Sequence, residues 1–509
     1  MKKFYISTPI FYPNGDLHLG HLYSMSIAWA IRNYKKLKGY QTLLLTGSDE
    51  HGQKIMQSAE KNNLSPKNFV DQQAEKFKSF WKKFDIEYDV FVRTTDKKHN
   101  SVIEKILTKL NENNFIYKSF YEGLYSISDE EFLTKTQAKE VNGKFFHPVS
   151  NHELKIVKEE SYFLKISQFQ NWLKKYLEDY PNFISSQKVI NELKSTFLNE
   201  KLEDLSISRN SFDWGIKFSF DNKHIAYVWV DALFSYLSPL ELFLNQEKFN
   251  SSWNDDVEKI HVVGKEITRF HGIYWPIMLK MLNLPLPNKI LSHGWLITST
   301  GKMSKSKGNI VNPLDLLEEF DSETIKLYLL SAFSINRDGV FDKENIKFFY
   351  NSFLANNYGN LISRVSSLFS QNFSSKISWD QNSLDKIDYS ILDKIEKSKE
   401  DFMSNFDNFE IDKAVEILIK LGNELNGYVD LTKAWLLKDD KKRLATILLI
   451  LINGIYAMSA YLKIFMPLKI EKIERDFFQQ NASLENIENW KKFDDIFIKK
   501  IESIFNRIK

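Results

Sequence analysis

The sequence predicts an α/β protein: a split, Rossmann-like parallel sheet carrying a connective insert, followed by an all-helical bundle. Three observations carry this. From Lys3 to Gly52 the pattern runs strand, loop, helix, strand, loop, the opening of a doubly wound parallel sheet. That rhythm is lost near residue 116 and returns beyond 210. From Lys347 onward strand signal almost vanishes, and apolar residues recur at helical spacing.

Taken in order, Lys3 to Thr8 reads as a strand and Pro9 to Gly15 as a turn-rich loop. Leu19 to Lys38 reads as a helix, Gln41 to Thr46 as a short apolar strand, and Gly47 to Gly52 as its polar exit loop. Chemistry in such sheets sits at the C-terminal ends of the strands, where both loops fall. The insert shows a short alternating piece, Phe145 to Val149, and helix-like stretches at Phe169 to Tyr180 and Gln187 to Asn199. Strand signal returns at Ile225 to Trp229, Lys259 to Val263 and Lys289 to His293. Lys347 to Gln371, Ser390 to Ser404, Ile411 to Asp430 and Lys441 to Leu462 then read as bundle helices, and the tail beyond about residue 480 as a surface helix. The chain is thus expected to divide into a first half of the sheet domain (1–115), an inserted domain (116–210), a second half of the sheet domain (211–325), a connecting segment (326–346) and a helical domain (347–509).

The 509 residues suffice for about three domains. With 43% apolar and 27% charged residues, the chain has ample material for packed cores. A net charge of +3 neither announces a nucleic-acid partner nor excludes a local basic footprint. The complete lack of cysteine removes disulfides, thiolate catalysis and Cys-ligated zinc, and it suits a reducing cytoplasm. Pro9, Pro13 and Gly15 interrupt the start too early for a signal peptide. Leu444 to Met458, broken by Asn453, is too short and mixed for a membrane span and reads as a buried helix.

Two clusters carry chemistry. In His18-Leu19-Gly20-His21 the imidazoles lie three apart, on one side of a helix's first turn and beside its positive end. Both can donate to phosphate oxygens, with Gly20 leaving room for a flat purine or a ribose; a helix cap is an equally ordinary use of the same residues. Between Gly301 and Gly308 stand Lys302, Lys305 and Lys307 with Ser304 and Ser306, a hinged loop able to close over a polyphosphate. Neither cluster is a P-loop.

With TPIFYPNG at 8–15, TGSDEHG at 46–52, LSISR at 205–209, YVWVDAL at 227–233 and VGKEITRFH at 263–271, these clusters resemble, over the whole chain, the class I aminoacyl-tRNA synthetases, and among them the bacterial methionyl-tRNA synthetases. The resemblance implies ATP-dependent formation of methionyl-adenylate and pyrophosphate, then transfer of methionine to the terminal adenosine of tRNA(Met), initiator included, with a CAU anticodon. Mg²⁺ would accompany the phosphates. Asp49 suits the methionine ammonium; Ile10, Tyr12, Trp229, Ala232, Leu233, Tyr236, Ile267 and His271 match the family's side-chain pocket. His18, Gly20 and His21 match the α-phosphate and adenosine site, and Lys302, Ser304 and Lys305 the β- and γ-phosphate loop. Arg209 resembles a second phosphate contact, while Lys265 and Glu266 flank the ribose, with Glu266 where relatives often carry Asp. Asn360, Arg364 and Trp435 match the readers of the anticodon.

Two departures stand out. Serines and acids occupy 123–134 and 145–154, where many relatives hold zinc with cysteines; His147 and His152 alone make an incomplete metal site, so apolar packing without metal is expected there. The chain also ends soon after the helices, so a monomer without the C-terminal tRNA-binding barrel of some relatives is expected. Rival readings are a class I enzyme for another amino acid, disfavoured by the short insert and the missing thiolates, and a non-catalytic RNA-binding module, disfavoured by two intact motifs.

Overall fold

Apolar residues on both faces of a short strand require cover on both sides, and four of the five strands of the main sheet read this way. Phe4, Tyr5 and Ile6, Leu44 and Leu45, Ile260, Val262 and Val263, and Ile290 and Leu291 are all buried. The structure, a computed structural model, describes every residue except 128–130, 134, 136–137, 149, 299–300, 303–310, 381–382, 490–492 and 509. It places β1 (Lys3–Phe11), β2 (Gln41–Ser48) and β3 (Val90–Arg93) in one sheet with the strands Val257–Gly264 and Lys289–His293. All pairings are parallel, in the order Lys289–His293, Val257–Gly264, β1, β2, β3. Helix α1 (Leu19–Leu37) carries the chain from β1 to β2 on one side, while Val257–Gly264 returns to β1's other side. The strand order therefore reverses at β1, and the crevice beyond the C-terminal ends of β1 and Val257–Gly264 is the topological switch point.

The differences from expectation have local causes. β1 continues past Thr8 to Phe11 because the register shifts between Ser7 and Ile10, around Pro9, which has no N–H to give a ladder. Ile225 to Trp229 is not a strand of the parallel sheet. The strand is Asp221–Ala226, in a small antiparallel sheet with Ser208–Arg209 and Lys217–Phe218; Trp229 sits in the first turn of the helix Val228–Phe234. A short apolar run does not distinguish these cases by periodicity. Gly47 is required where it stands, since a Cβ there would meet the Val92 carbonyl at 2.1 Å and Ile10 Cγ2 at 2.9 Å.

In the insert, Ile116–Ser126 pairs antiparallel with Lys155–Leu164, flanked by Glu131–Leu133 and Leu205–Ser206. Lys139–Val141 and Lys144–Phe146 form a hairpin at its tip, and Val149 lies outside the described residues. Leu124, Leu133 and Leu154 form a buried cluster against Ala138 and Phe145. His147 and His152 belong to a turn: the His147 amide donates to the His152 carbonyl at 2.8 Å, and His147 Nδ1 accepts from the Ser150 amide at 3.1 Å. Among the described residues no three His, Asp or Glu side chains gather as a metal site.

Two units partition the chain, residues 1–32 with 41–293, and residues 33–40 with 294–509. In the second unit the helices Asn360–Asn372, Lys386–Asp407, Ile411–Thr432 and Lys441–Leu462 pack together. Lys386–Asp407 begins before the expected Ser390, because Asp385 and Asp388 form a capping box that carries no apolar signal. Lys441–Leu462 has the bounds expected of it, and length and composition alone would let it cross a membrane; every residue from Leu444 to Leu462 is nevertheless buried in protein. The tail is not a surface helix. Ile377 and Ile496 exchange backbone hydrogen bonds at 2.9 and 3.1 Å, the amide of Ile508 donates to Asn351 at 2.9 Å, and Phe493, Ile498 and Phe505 are buried.

Candidate active site

The site is built at the switch point, within the first unit. His18 precedes α1, and its carbonyl accepts from the amide of His21 at 3.0 Å. Gly20's amide donates to His18 Nδ1 at 3.1 Å, and His18's own amide donates to His21 Nδ1 at 3.0 Å. The rings stack with centroids 3.7 Å apart. Capping and phosphate binding are thus compatible: backbone amides take both Nδ1 atoms, so each neutral ring carries its proton on Nε2. Burial, helped by the neighbouring His18, holds His21 well below its ordinary value. A Cβ on Gly20 would approach the His18 ring to 3.0 Å.

β2 delivers Asp49, whose amide donates to the Phe11 carbonyl at the end of β1 at 3.0 Å. The carboxylate is buried close enough to Tyr236 that, added to burial, it pushes the Tyr236 phenol well up. Tyr236 donates to His271 Nε2 at 2.7 Å, and His271 Nδ1–H donates to the Ile267 carbonyl at 3.0 Å. Burial pushes His271 down to about 4, partly opposed by that carbonyl, so a neutral phenol–imidazole pair closes this end. Trp229 stacks on Phe270 at 3.6 Å, nearly parallel. Ile10, Tyr12, Trp229 and Ile267 are half-covered and pack against the core cluster that contains Leu233 and Tyr236; Ala232 is buried on the same helix as Trp229. The structure therefore gathers the sequence-predicted apolar residues around the strand ends. Lys265 and Glu266 follow Val257–Gly264 in a short 3₁₀ turn, with Glu266 exposed and its carboxylate lying over Gly264.

Other predicted residues stand apart. Arg209 is 3% exposed, its guanidinium against the Glu159 carboxylate and 4.3 Å above the Tyr125 ring. Gly301–Lys302 pairs by its backbone with Leu296–Thr298; Ser304, Lys305 and the rest of 303–310 lie outside the described residues. In the second unit Arg364 bonds Asp430 at 2.7 Å and lies 5.8 Å from the centre of the Trp435 ring, which is 42% exposed; Asn360 is exposed one turn earlier.

Sequence reasoning missed the groups that hold the Asp49 loop. Arg93 grips Glu50 with two hydrogen bonds, 2.7 and 3.0 Å. Asp231 accepts from His51 Nδ1 at 2.7 Å and from His99 Nε2 at 2.5 Å. Burial alone would raise the Asp231 carboxyl, but the two imidazoles hold it down at about 2. His51 and Asp231 lie inside the motifs TGSDEHG and YVWVDAL, whereas His99 carries no local signal.

Comparison with known proteins agrees with this geometry. The family model described as "tRNA synthetases class I (M)" matches residues 4–145 and 145–366. A methionine–tRNA ligase of Mycoplasmopsis pulmonis is 50% identical over 509 residues, covering 100% of this chain and 99% of that one. The Bacillus subtilis methionine–tRNA ligase is 39% identical over 526 residues, covering 100% of this chain and 78% of the relative. Mycobacterium tuberculosis methionyl-tRNA synthetase in complex with methionyl-adenylate superposes with a TM-score of 0.94 at 30% identity, covering 100% of both chains. The apo form of that enzyme gives 0.87 at 27% identity, covering 100% of this chain and 99% of the other. A crevice at the strand reversal, two capped histidines at the head of α1 and an end-to-end match to these proteins lead to one assignment: the chain belongs to the class I aminoacyl-tRNA synthetases, in their methionine branch.

Proposed function

We propose that this methionine–tRNA ligase performs its ATP-dependent chemistry at the crevice between β1 and Val257–Gly264, with Asp49 binding the ammonium of L-methionine. The observation that carries this reading is the meeting of the Asp49 carboxylate with the neutral Tyr236–His271 pair at one end of the parallel sheet. A single buried carboxylate suits an ammonium, and a neutral polar pair suits a thioether without drawing in a charge. Ile10, Tyr12, Trp229, Ala232, Leu233 and Ile267 supply the apolar sleeve. The methionine carboxylate attacks the α-phosphorus of ATP, its P–O bond forms as the bond to pyrophosphate breaks, and methionyl-adenylate results. The terminal ribose hydroxyl of tRNA(Met) then attacks the activated carbonyl and releases AMP.

No protein nucleophile enters this scheme; positioning and charge stabilisation carry it. His18 and His21 present Nε2–H donors at the positive end of α1 to the α-phosphate, with Gly20 admitting the adenosine. Lys302, Ser304 and Lys305 take the β- and γ-phosphates, and Lys265 and Glu266 the ribose. Arg209, paired with Glu159, serves phosphate by turning from that partner. Magnesium, when bound, would supply charge neutralisation on the pyrophosphate beside Lys302 and Lys305. Asn360, Arg364 and Trp435 read the CAU anticodon from the helical domain, and the five-part division of the chain follows these roles.

Amino-acid-dependent pyrophosphate exchange, run with each of the twenty amino acids, tests the reading. Methionine should dominate, and Asp49→Ala should abolish its exchange; near-normal exchange by that variant would remove Asp49 from the ammonium site.

A further inference from the structure

We propose that Asp231 is a positioning residue for methionine activation, holding the loop that carries Asp49 against the helix that carries the apolar sleeve. The proposal rests on Asp49 being the ammonium site. Asp231 lies on Val228–Phe234, between Trp229 and Ala232, and is 1% exposed. Its two oxygens are divided between two elements. Oδ2 accepts from His51, two residues beyond Asp49; Oδ1 accepts from His99 on the helix Lys97–Glu112. His99 in turn places its Nδ1 2.7 Å from the Ser238 hydroxyl, so both nitrogens of its ring are engaged. With both oxygens engaged, Asp231 is not itself a ligand for an ammonium, and its influence passes through His51.

The rest of the loop shows why this contact matters. Its backbone is pinned on the other side, with the Glu50 amide donating to Thr94 Oγ1 at 2.9 Å and the Trp214 indole donating to the Glu50 carbonyl at 2.7 Å. Tyr12 donates to the His51 carbonyl at 3.1 Å. The bonds to Thr94 and Tyr12 tie the loop to the β1 and β3 side, and Trp214 holds it from the segment between Ser208–Arg209 and Lys217–Phe218. The His51–Asp231 bond is a side-chain link from the loop to the sleeve helix, and through it Asp231 bears on the spacing between the ammonium end and the thioether end of the site. Hydrogen bonds to a buried carboxylate are strong and directional, which suits a spacer that must not yield. This placement makes Asp231 a determinant of methionine affinity rather than of ATP handling.

The test compares Asp231→Asn, His51→Asn and His51→Leu in pyrophosphate exchange, with Asp49→Ala measured alongside. An Asn at 231 offers one acceptor and one donor where two acceptors are needed. It should raise the methionine KM by about tenfold or more, the scale of a lost hydrogen bond to a charged group, while the ATP KM stays within about twofold. Asn at 51 keeps an amide donor near the place of Nδ1 and should recover most of the affinity, whereas Leu, similar in volume, should reproduce the Asp231→Asn defect. An unchanged methionine KM in Asp231→Asn, an equal rise in both KM values, or identical behaviour of the two His51 variants would overturn the proposal. The His51 pair decides the matter even if Asp231→Asn fails to fold. Asp49→Ala separates the two possible failures. If it is crippled while Asp231→Asn is normal, only the positioning role falls; if it binds methionine normally, the ammonium assignment falls.

Discussion

The proton inventory around His271 has consequences for stability as well as for binding. Its Nδ1–H is committed to Ile267 and its Nε2 to the Tyr236 hydroxyl, so a second proton would break the latter bond. Folding holds this imidazole at about 4, below the roughly 6.5 of an unfolded histidine. The unfolded chain therefore binds more protons in that window, and stability rises with pH across it. The contribution is complete above pH ~6.5 and is lost toward pH ~4, at up to about 1.4 kcal/mol per pH unit. His261, whose Nε2 accepts from Trp275 and whose Nδ1 faces Ser7, is also held well below its ordinary value by burial and by His271, and adds to the same slope. Thermal midpoints measured from pH 7 to 5 should fall less steeply in His271→Asn than in the wild type; equal slopes would mean that His271 titrates normally. Asp49 and His271 could be proposed from the sequence because they sit in contiguous motifs, and Tyr236 because it lies three residues beyond one. Their supports were not: Arg93 and His99 come from a four-residue strand and a helix face that carry no chemical signature of their own.

Among the elements, β2 and β3 show how a site residue depends on a glycine. Gly47 pairs with Ile10 on one side and Val92 on the other, and a methyl group there would strike the Val92 carbonyl. Gly47→Ala must separate two paired strands just before Asp49. It should cost on the order of 1–3 kcal/mol, the range of overpacking, and should also weaken methionine binding. A thermal midpoint within a degree of the wild type would contradict this. In the bundle, Asp388 is buried beneath Arg443, which reaches it with NH1 and, at 2.9 Å, with NH2, while Tyr428 donates at 2.6 Å. Breaking that group with Asp388→Ala should cost about 1–3 kcal/mol, read in denaturant unfolding, because the half-buried Arg443 guanidinium, left with Asp385 as its carboxylate partner, and the Tyr428 hydroxyl both lose an acceptor. The sheet was readable where apolar runs were long and bounded by Gly or Pro. It was misread at Ile225 to Trp229, where five apolar-rich residues satisfy a strand and a helix start equally, and at the tail, whose buried Phe and Ile residues are spaced irregularly.

At the scale of the whole chain, the amino-acid site belongs to one unit and the Arg364–Trp435 pair to the other. The two steps of the reaction should therefore separate under mutation. Trp435→Ala removes an exposed stacking surface worth about 1–3 kcal/mol per base. It should lower tRNA charging by about tenfold or more and leave methionine-dependent exchange within about twofold. Equal losses in both assays would place Trp435 in a structural role. The near-neutral net charge gave no hint of an RNA partner, since a footprint of a few residues disappears in a sum over 69 basic and 66 acidic side chains. The division between a strand-bearing portion and a helical one was legible from the change in apolar period alone. Asn360, Arg364 and Trp435 were named through the resemblance alone, because Trp435 comes from a separate helix and the three share no local pattern.

The buried helix Lys441–Leu462 has a consequence for the newly made chain. It would satisfy a bilayer by length and composition, yet it ends entirely inside the protein, against Asn360–Asn372, Lys386–Asp407 and Ile411–Thr432. All three of those partners precede it in the sequence. During synthesis the sticky segment thus leaves the ribosome after three helices able to cover much of it, with Pro467–Ile473 and Leu484–Asn486, which also pack on it, still to follow, and the time it spends open to chaperones, lipid or other nascent chains is shortened by the order in which the gene is read.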